Sequence, residues 1–308
     1  VPPALNAAAW KRAAGIAGAS LCVLALALLL KRGAALGAEL GDRLAQVSPV
    51  QFAVALATYV VGALALALAW ALLVRAASGS ALHARPLGVA HLRSQLAKYL
   101  PGNVFHFAYR HIAAHRQGVG HAALGAALAL ESLLLIGVAA LLALGVAADP
   151  RVAAKLPWAH DLVWIAPPLA GLAIFLVASN AHRFGSAAMG ARRSGGALVG
   201  VAGLDMFFFL LAAFALRSLC TQSEAMPLGA WCGWLSLAWA AGYVVPGAPA
   251  GLGLREAVLA LGLGPVLGEP EALALALVYR LLTVAADAVL AGIGFALSSS
   301  DRATDRQR

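Results

Sequence analysis

Four basic side chains, Lys98, Arg110, Arg255 and Arg280, and four carboxylates, Glu131, Asp205, Glu256 and Asp287, stand inside or beside stretches otherwise apolar enough to lie in a bilayer. Charges at that depth are costly, so each needs a partner, a polar cavity or a ligand. A guanidinium presents a planar fork that matches phosphate oxygens two at a time. If these cations converge beyond what nearby anions neutralise, the favoured ligand is anionic and phosphate-bearing. The competing reading is a set of structural ion pairs buried between helices. Arg280 and Asp287 lie two helical turns apart on one face of one helix, too far apart to touch, so each looks to another helix. Glu131 requires a cation, with Arg110 and Arg255 the candidates, and Asp205 requires a polar cavity or an arginine.

Two backbone breaks would bring these charges to one depth. Pro101-Gly102 is followed nine residues after the proline by Arg110, and Pro246-Gly247 at the same interval by Arg255. Pro249, Gly251 and Gly253 prolong the second break. A helix restarting after Gly247 or Gly253 would aim free N–H groups and a positive dipole end inward. Interrupted segments in corresponding halves of a chain are the sequence pointer to a transporter's midplane site.

The elements that carry these residues are all α-helical. Of the 308 residues, 62% are hydrophobic and only 11% charged, far below the roughly 25% charge of a soluble domain. Apolar runs of spanning length cover 13–30, 50–74, 121–146, 162–178, 197–219 and 271–297. They are too long and too continuous for barrel strands. Glycines such as Gly137, Gly171, Gly200 and Gly203 would let helices approach closely. Residues 75–120 and 228–264 fit no simple span and read as re-entrant helical hairpins. In the first, Val89, Leu92, Leu96, Tyr99 and Leu100 form one apolar helical face ending before Pro101.

The expected fold is therefore a polytopic membrane bundle of about six full spans plus two inverted re-entrant hairpins. It occupies 1–298, with pseudo-repeats centred on 88–148 and 228–297, and 299–308 forms a tail. Basic loops 75–120 and 179–196 and the tail place both termini in the cytoplasm. Three spans separate the hairpins, so they dip in from opposite faces.

Composition also excludes classes of function. The net charge of +9 could suggest nucleic acid, but most cations lie between spans, where they set orientation and attract anionic headgroups. Cys22, Cys220 and Cys232 have no metal-binding spacing. His83, His91, His106, His111, His115 and His121 cluster around the first hairpin without a His-Glu-x-x-His frame, and no phosphate-cradling Gly-x-x-x-x-Gly-Lys loop occurs. No enzyme activity, cofactor or metal is expected. The stretch 13–30, flanked by Lys11-Arg12 and Lys31-Arg32, reads as a retained helix.

Two segments carry a family resemblance. Lys98-Tyr99-Leu100-Pro101-Gly102, then Arg110 and Glu131, resembles the Lys-Tyr-Ile/Leu-Pro-Gly…Arg…Glu pattern of the lysylphosphatidylglycerol synthase transmembrane, or flippase-like, family of bacterial inner-membrane proteins. Pro246-Gly-Ala-Pro249-Ala250-Gly251-Leu-Gly253-Leu-Arg255-Glu256 is similar to its second signature, with Ala250 where many members have glycine. The resemblance covers roughly residues 10–298. It implies a helical bundle in the bacterial inner membrane that translocates a lipid, and it does not carry over the aminoacyl transfer of relatives fused to a soluble synthase. Lys98, Pro101, Gly102, Arg110, Glu131, Pro246, Pro249, Gly251, Gly253 and Glu256 match family positions. The partner so implied is an anionic phospholipid or polyprenyl-phosphate lipid. The alternative is a non-transporting scaffold for a lipid- or glycan-synthesising enzyme.

Overall fold

The computed structural model describes residues 45–78, 82–100, 104–155, 191–220, 222–245 and 249–305, with scattered positions before residue 45. Among the described residues every element is helical: α1 (Pro49–Ser78), α2 (Ala84–Arg93), α3 (Phe105–His115), α4 (His121–Ala143), α5 (Pro150–Lys155), α6 (Ala191–Ser218), α7 (Leu228–Val244), α8 (Leu254–Leu267) and α9 (Glu269–Asp305). Short 3-10 turns extend α2 over Ser94–Tyr99 and α4 over Leu144–Ala148, and another, Pro249–Gly251, precedes α8.

Among the described residues four helices are long and apolar enough to cross a membrane: α1, α4 with its extension to Ala148, Gly195–Ser218 of α6, and Glu269–Ser298 of α9. They correspond to the runs expected at 50–74, 121–146, 197–219 and 271–297. The runs at 13–30 and 162–178 lie outside the described residues, as do Pro101, Gly102, Pro246 and Gly247. The segment 299–308 continues α9 as helix to Asp305.

Ala and Leu make these helices, since neither loses much side-chain freedom on helix formation. Their interior is filled by Trp70, Phe209, Trp231 and Leu124, all below 2% exposed. Their exterior is apolar as well. On α1, Val50, Val54, Val61, Leu64 and Leu68 form an exposed stripe at helical spacing. A surface of that kind belongs against hydrocarbon.

α1 packs along α6, α4 along α7, and α8 along both α7 and α9, while α2 lies against α1 and α9. The halves of both interrupted segments are thereby wedged among the long helices. The single apolar face expected for residues 89–100 is not formed. Val89 and Leu92 are buried, whereas Leu96 and Leu100 are nearly half exposed. The helix tightens to 3-10 at Ser94, and three residues per turn instead of 3.6 swing the later side chains off the stripe.

The glycines that admit close packing are also not those expected. A Cβ on Gly137, Gly200 or Gly203 would meet nothing within 4 Å, and Gly171 lies outside the described residues. The close crossing is instead between the end of α4 and α7, where a Cβ on Gly145 would overlap the Gly229 carbonyl and one on Gly233 the backbone at Val146. In an Ala/Leu-rich helix, spacing alone cannot say which face meets a neighbour. Gly233→Ala is expected to lower stability by about 1–3 kcal/mol. Gly137→Ala is expected to be neutral or mildly stabilising, and thermal unfolding of the two variants in detergent separates them. Beside this crossing, Arg151 donates to Asp149 Oδ1 (3.0 Å) and to the Gly262 carbonyl (3.0 Å), and Trp234 Nε1 donates to Asp149 Oδ2 (3.2 Å). The end of α4 is thus tied to α7 and α8.

Candidate functional site

The second break is built from backbone that turns left-handed. Ala250 (φ 49°), Gly251 (φ 72°) and Gly253 (φ 82°) reverse the chain before α8 begins. Glycine adopts such angles freely, whereas alanine there is strained. Ala250→Gly is expected to stabilise the protein by about 0.5–1 kcal/mol, net of the extra freedom of the unfolded chain, read as a raised melting temperature. Glu256 reaches back to accept a hydrogen bond from the Gly253 N–H at 2.7 Å, capping α8. Arg280 Nη1, on α9, donates to the Ala250 carbonyl at 3.2 Å, and its Nε lies 3.5 Å from Glu256 Oε1.

Lys98, Arg110, Arg255 and Arg280 all line one cavity of about 880 Å³, walled also by Glu131 and Asp287. An adjoining compartment of about 430 Å³ is lined largely by apolar side chains such as Phe209, Leu235 and Leu259, with Glu256 at its edge. Tyr59, Phe208, Trp239, Arg255, Arg280 and Thr283 border both. One compartment therefore carries charged groups among apolar side chains and the other is mostly apolar, and the two arginines stand where they meet.

Three of the four cations are committed. Lys98 Nζ donates to Asp287 Oδ1 at 2.7 Å, and Tyr99 donates to Asp287 Oδ2 at 2.5 Å. Arg110 is 2% exposed, with its Nη1 at 2.6 Å from Glu131 Oε1 and 2.9 Å from His91 Nδ1, and its guanidinium lies 4.6 Å from the Trp70 ring centroid. Glu131 therefore takes Arg110, not Arg255. Arg280 is shared between Glu256 and the break. Arg255 is different: among the described residues no carboxylate lies within ion-pair distance of it. Its stem passes through a notch between Gly242 and Gly251, where an added Cβ would come 2.6–2.7 Å from it, and its guanidinium lies 5.7 Å from the Trp239 ring centroid. Its Nε has no hydrogen-bond partner among the described residues. The polar compartment thus holds one positive charge that protein carboxylates leave uncompensated. Arg280 Nη2 and His106 Nδ1 are likewise buried without partners.

Asp205 is 1% exposed and does not line the cavity, and its Oδ2 has no partner among the described residues. The arginine or polar cavity expected for it is not among them. It sits about one turn before Phe208 and Phe209, which share its face of α6 and do reach the cavity walls, so it misses the cavity by its height along the helix. Of the break residues, Gly251 and Gly253 act through the backbone, and the Pro249 side chain lies outside the described part of the structure.

Several wall residues were not singled out from the sequence. Tyr59 is the clearest, a phenol in the middle of an Ala/Val/Leu span, and that incongruity was the available signal. Tyr243, which shares a 2.9 Å hydrogen bond with Ser132 and stacks on Trp239, and Thr283 carried no comparable mark. A scan against family models finds no match to the chain, and a search of curated proteins finds none.

Proposed function

We propose that the protein is a translocase for an anionic, phosphate-bearing lipid in the bacterial inner membrane, with the headgroup passing through the Arg255 cavity between two inverted re-entrant hairpins. The observation that carries this reading is the uncompensated charge of Arg255 at the junction of a polar and an apolar compartment. A half-buried guanidinium without a carboxylate among the described residues favours an anion, and the two-faced cavity suits a ligand with a charged head and a hydrocarbon tail. The exposed apolar stripes of the long helices supply the surrounding bilayer contact. The motif resemblance, read on Lys98, Arg110, Glu131 and Glu256, points the same way.

In this mechanism Arg255 is the anchor for the phosphate. Arg280 lies beside it and changes partner, releasing Glu256 as the headgroup arrives. Arg110 and Lys98 are positioning residues, fixed by Glu131 and Asp287, that hold the first hairpin against α4 and α9. Acyl chains remain at the apolar side.

A phosphatidylglycerol carrying a photoreactive diazirine close to its headgroup tests the occupancy directly. After illumination in vesicles, the labelled peptides are expected to come from α7, the second break and α8, with excess unlabelled phosphatidylglycerol suppressing the label and phosphatidylcholine not. Labelling confined to the outer faces of α1 and α6, equal for both lipids, would contradict the reading.

A further inference from the structure

The hairpin of α2 and α3 has a second face. His91, Gln95 and Arg110 look into the central cavity. On the other side Val89, Ala90 and Arg93 of α2, with Tyr109, Ile112 and Arg116 of and after α3, line a separate groove of about 1190 Å³ that reaches Ser298 on α9. We infer that this groove is a second lipid seat, holding an anionic phospholipid with its phosphodiester between Arg93 and Arg116.

Arg93 is held in place by its surroundings. A Cβ on Gly294 of α9 would come within 2.8 Å of Arg93 Cγ, so the stem lies in the notch that this glycine leaves. The guanidinium lies 4.6 Å from the Phe295 ring centroid and 5.8 Å from that of Tyr109. That packing fixes the side chain and neutralises none of its charge. Its Nε is buried with no hydrogen-bond partner among the described residues. Among the described residues neither Arg93 nor Arg116 has a carboxylate within ion-pair distance, and no acidic side chain of those residues lines the groove. The anionic part of a ligand is thus specified by charge.

The rest of the ligand is specified by shape and polarity. The groove is far larger than a phosphate, and Pro86, Val89, Ala90, Ile112 and Ala113 give its lining an apolar part. Beside it Ile112 is 53% exposed, and Leu96, Leu100, Val104 and Phe105 on the same hairpin are 46–57% exposed. An apolar surface next to two unpaired arginines suits a phosphate esterified to acyl chains. A zwitterionic headgroup would bring its own cation against Arg93 and Arg116 with no carboxylate among the described lining residues to receive it. Phosphatidylglycerol is therefore preferred over phosphatidylcholine by on the order of tenfold or more, the worth of one to two charge-assisted contacts.

The test counts lipids on the intact protein. The full chain is released from mixed phosphatidylglycerol–phosphatidylcholine vesicles into mild detergent, and its retained lipids are read by native mass spectrometry. Arg93→Gln/Arg116→Gln is expected to retain one phosphatidylglycerol fewer than the unmodified chain, and the corresponding double lysine variant an intermediate amount. Ile112→Trp, which fills the groove from an exposed position without removing charge, is expected to lose the same lipid and guards against a folding defect in the double variant. Inorganic phosphate in excess is expected not to displace it. Unchanged phosphatidylglycerol retention in both groove variants, or displacement by inorganic phosphate alone, would overturn the proposal. Arg255→Met, which addresses the central cavity, leaves the groove lipid in place, so failure of the translocase reading and failure of this one are separable.

Discussion

Arg255→Met is expected to slow movement of an anionic lipid by about 100-fold while leaving the protein as stable as before, or more so. The rate effect follows from losing a two-pronged, charge-assisted contact to phosphate, worth about 3 kcal/mol in a dry site, at a tenfold change per 1.4 kcal/mol. The stability effect follows from the partner census. Arg255 has no carboxylate to leave behind among the described residues, so removing its charge strands none of them. Methionine keeps the bulk of the stem that fills the notch at Gly242 and Gly251. Arg255→Lys retains the charge but not the fork, and an intermediate rate is expected. Lipid movement and thermal unfolding measured on the same preparations check both halves. A large loss of stability in Arg255→Met would mean that the arginine holds the fold and not a ligand.

The opposite pattern is expected at Glu131. Replacing it with leucine leaves Arg110 buried and stripped of its carboxylate, which costs about 3–5 kcal/mol. Among the described residues His91 Nδ1 and the Trp70 and Phe107 rings would remain against the guanidinium. The double variant Arg110→Met/Glu131→Leu is expected to recover most of that loss, because a well-packed apolar pair can replace a buried ion pair at little net cost. Melting temperatures of the two single variants and the double variant form the cycle. Additive losses would show that Arg110 and Glu131 are not coupled. The geometry thus separates two arginines that occupy equivalent positions after their Pro-Gly pairs: Arg110 is committed to Glu131, and Arg255 has no such partner.

That separation was not readable from the chain. The apolar runs announce α1, α4, α6 and α9, because a length of Ala, Leu and Val sufficient to cross hydrocarbon has few other uses. The ionisable residues within and between those runs stand out by their cost, and Lys98, Arg110, Arg255 and Arg280 do line one cavity. Which carboxylate serves which cation depends on helix rotation and crossing, and an Ala/Leu-rich helix looks alike on every face. For that reason the sequence leaves Glu131 two candidate partners, points Asp205 to an arginine or polar cavity that the described residues lack, and does not distinguish Gly137, Gly200 and Gly203 from Gly145 and Gly233. Tyr59 is an intermediate case, legible as an oddity but not as a cavity wall. The tightening at Ser94 left no mark, since propensity differs little between an α-helical and a 3-10 turn.

The most direct measurement is the accessibility of a fluorescent phosphatidylglycerol to an impermeant reductant in vesicles reconstituted with the unmodified chain. A lipid passage through the Arg255 cavity requires quenching to proceed past the outer-leaflet half in vesicles that contain protein, and to pass that half about 100-fold more slowly when Arg255 is methionine. Quenching that stops at half with the unmodified, folded protein, or that proceeds equally in Arg255→Met, would contradict it.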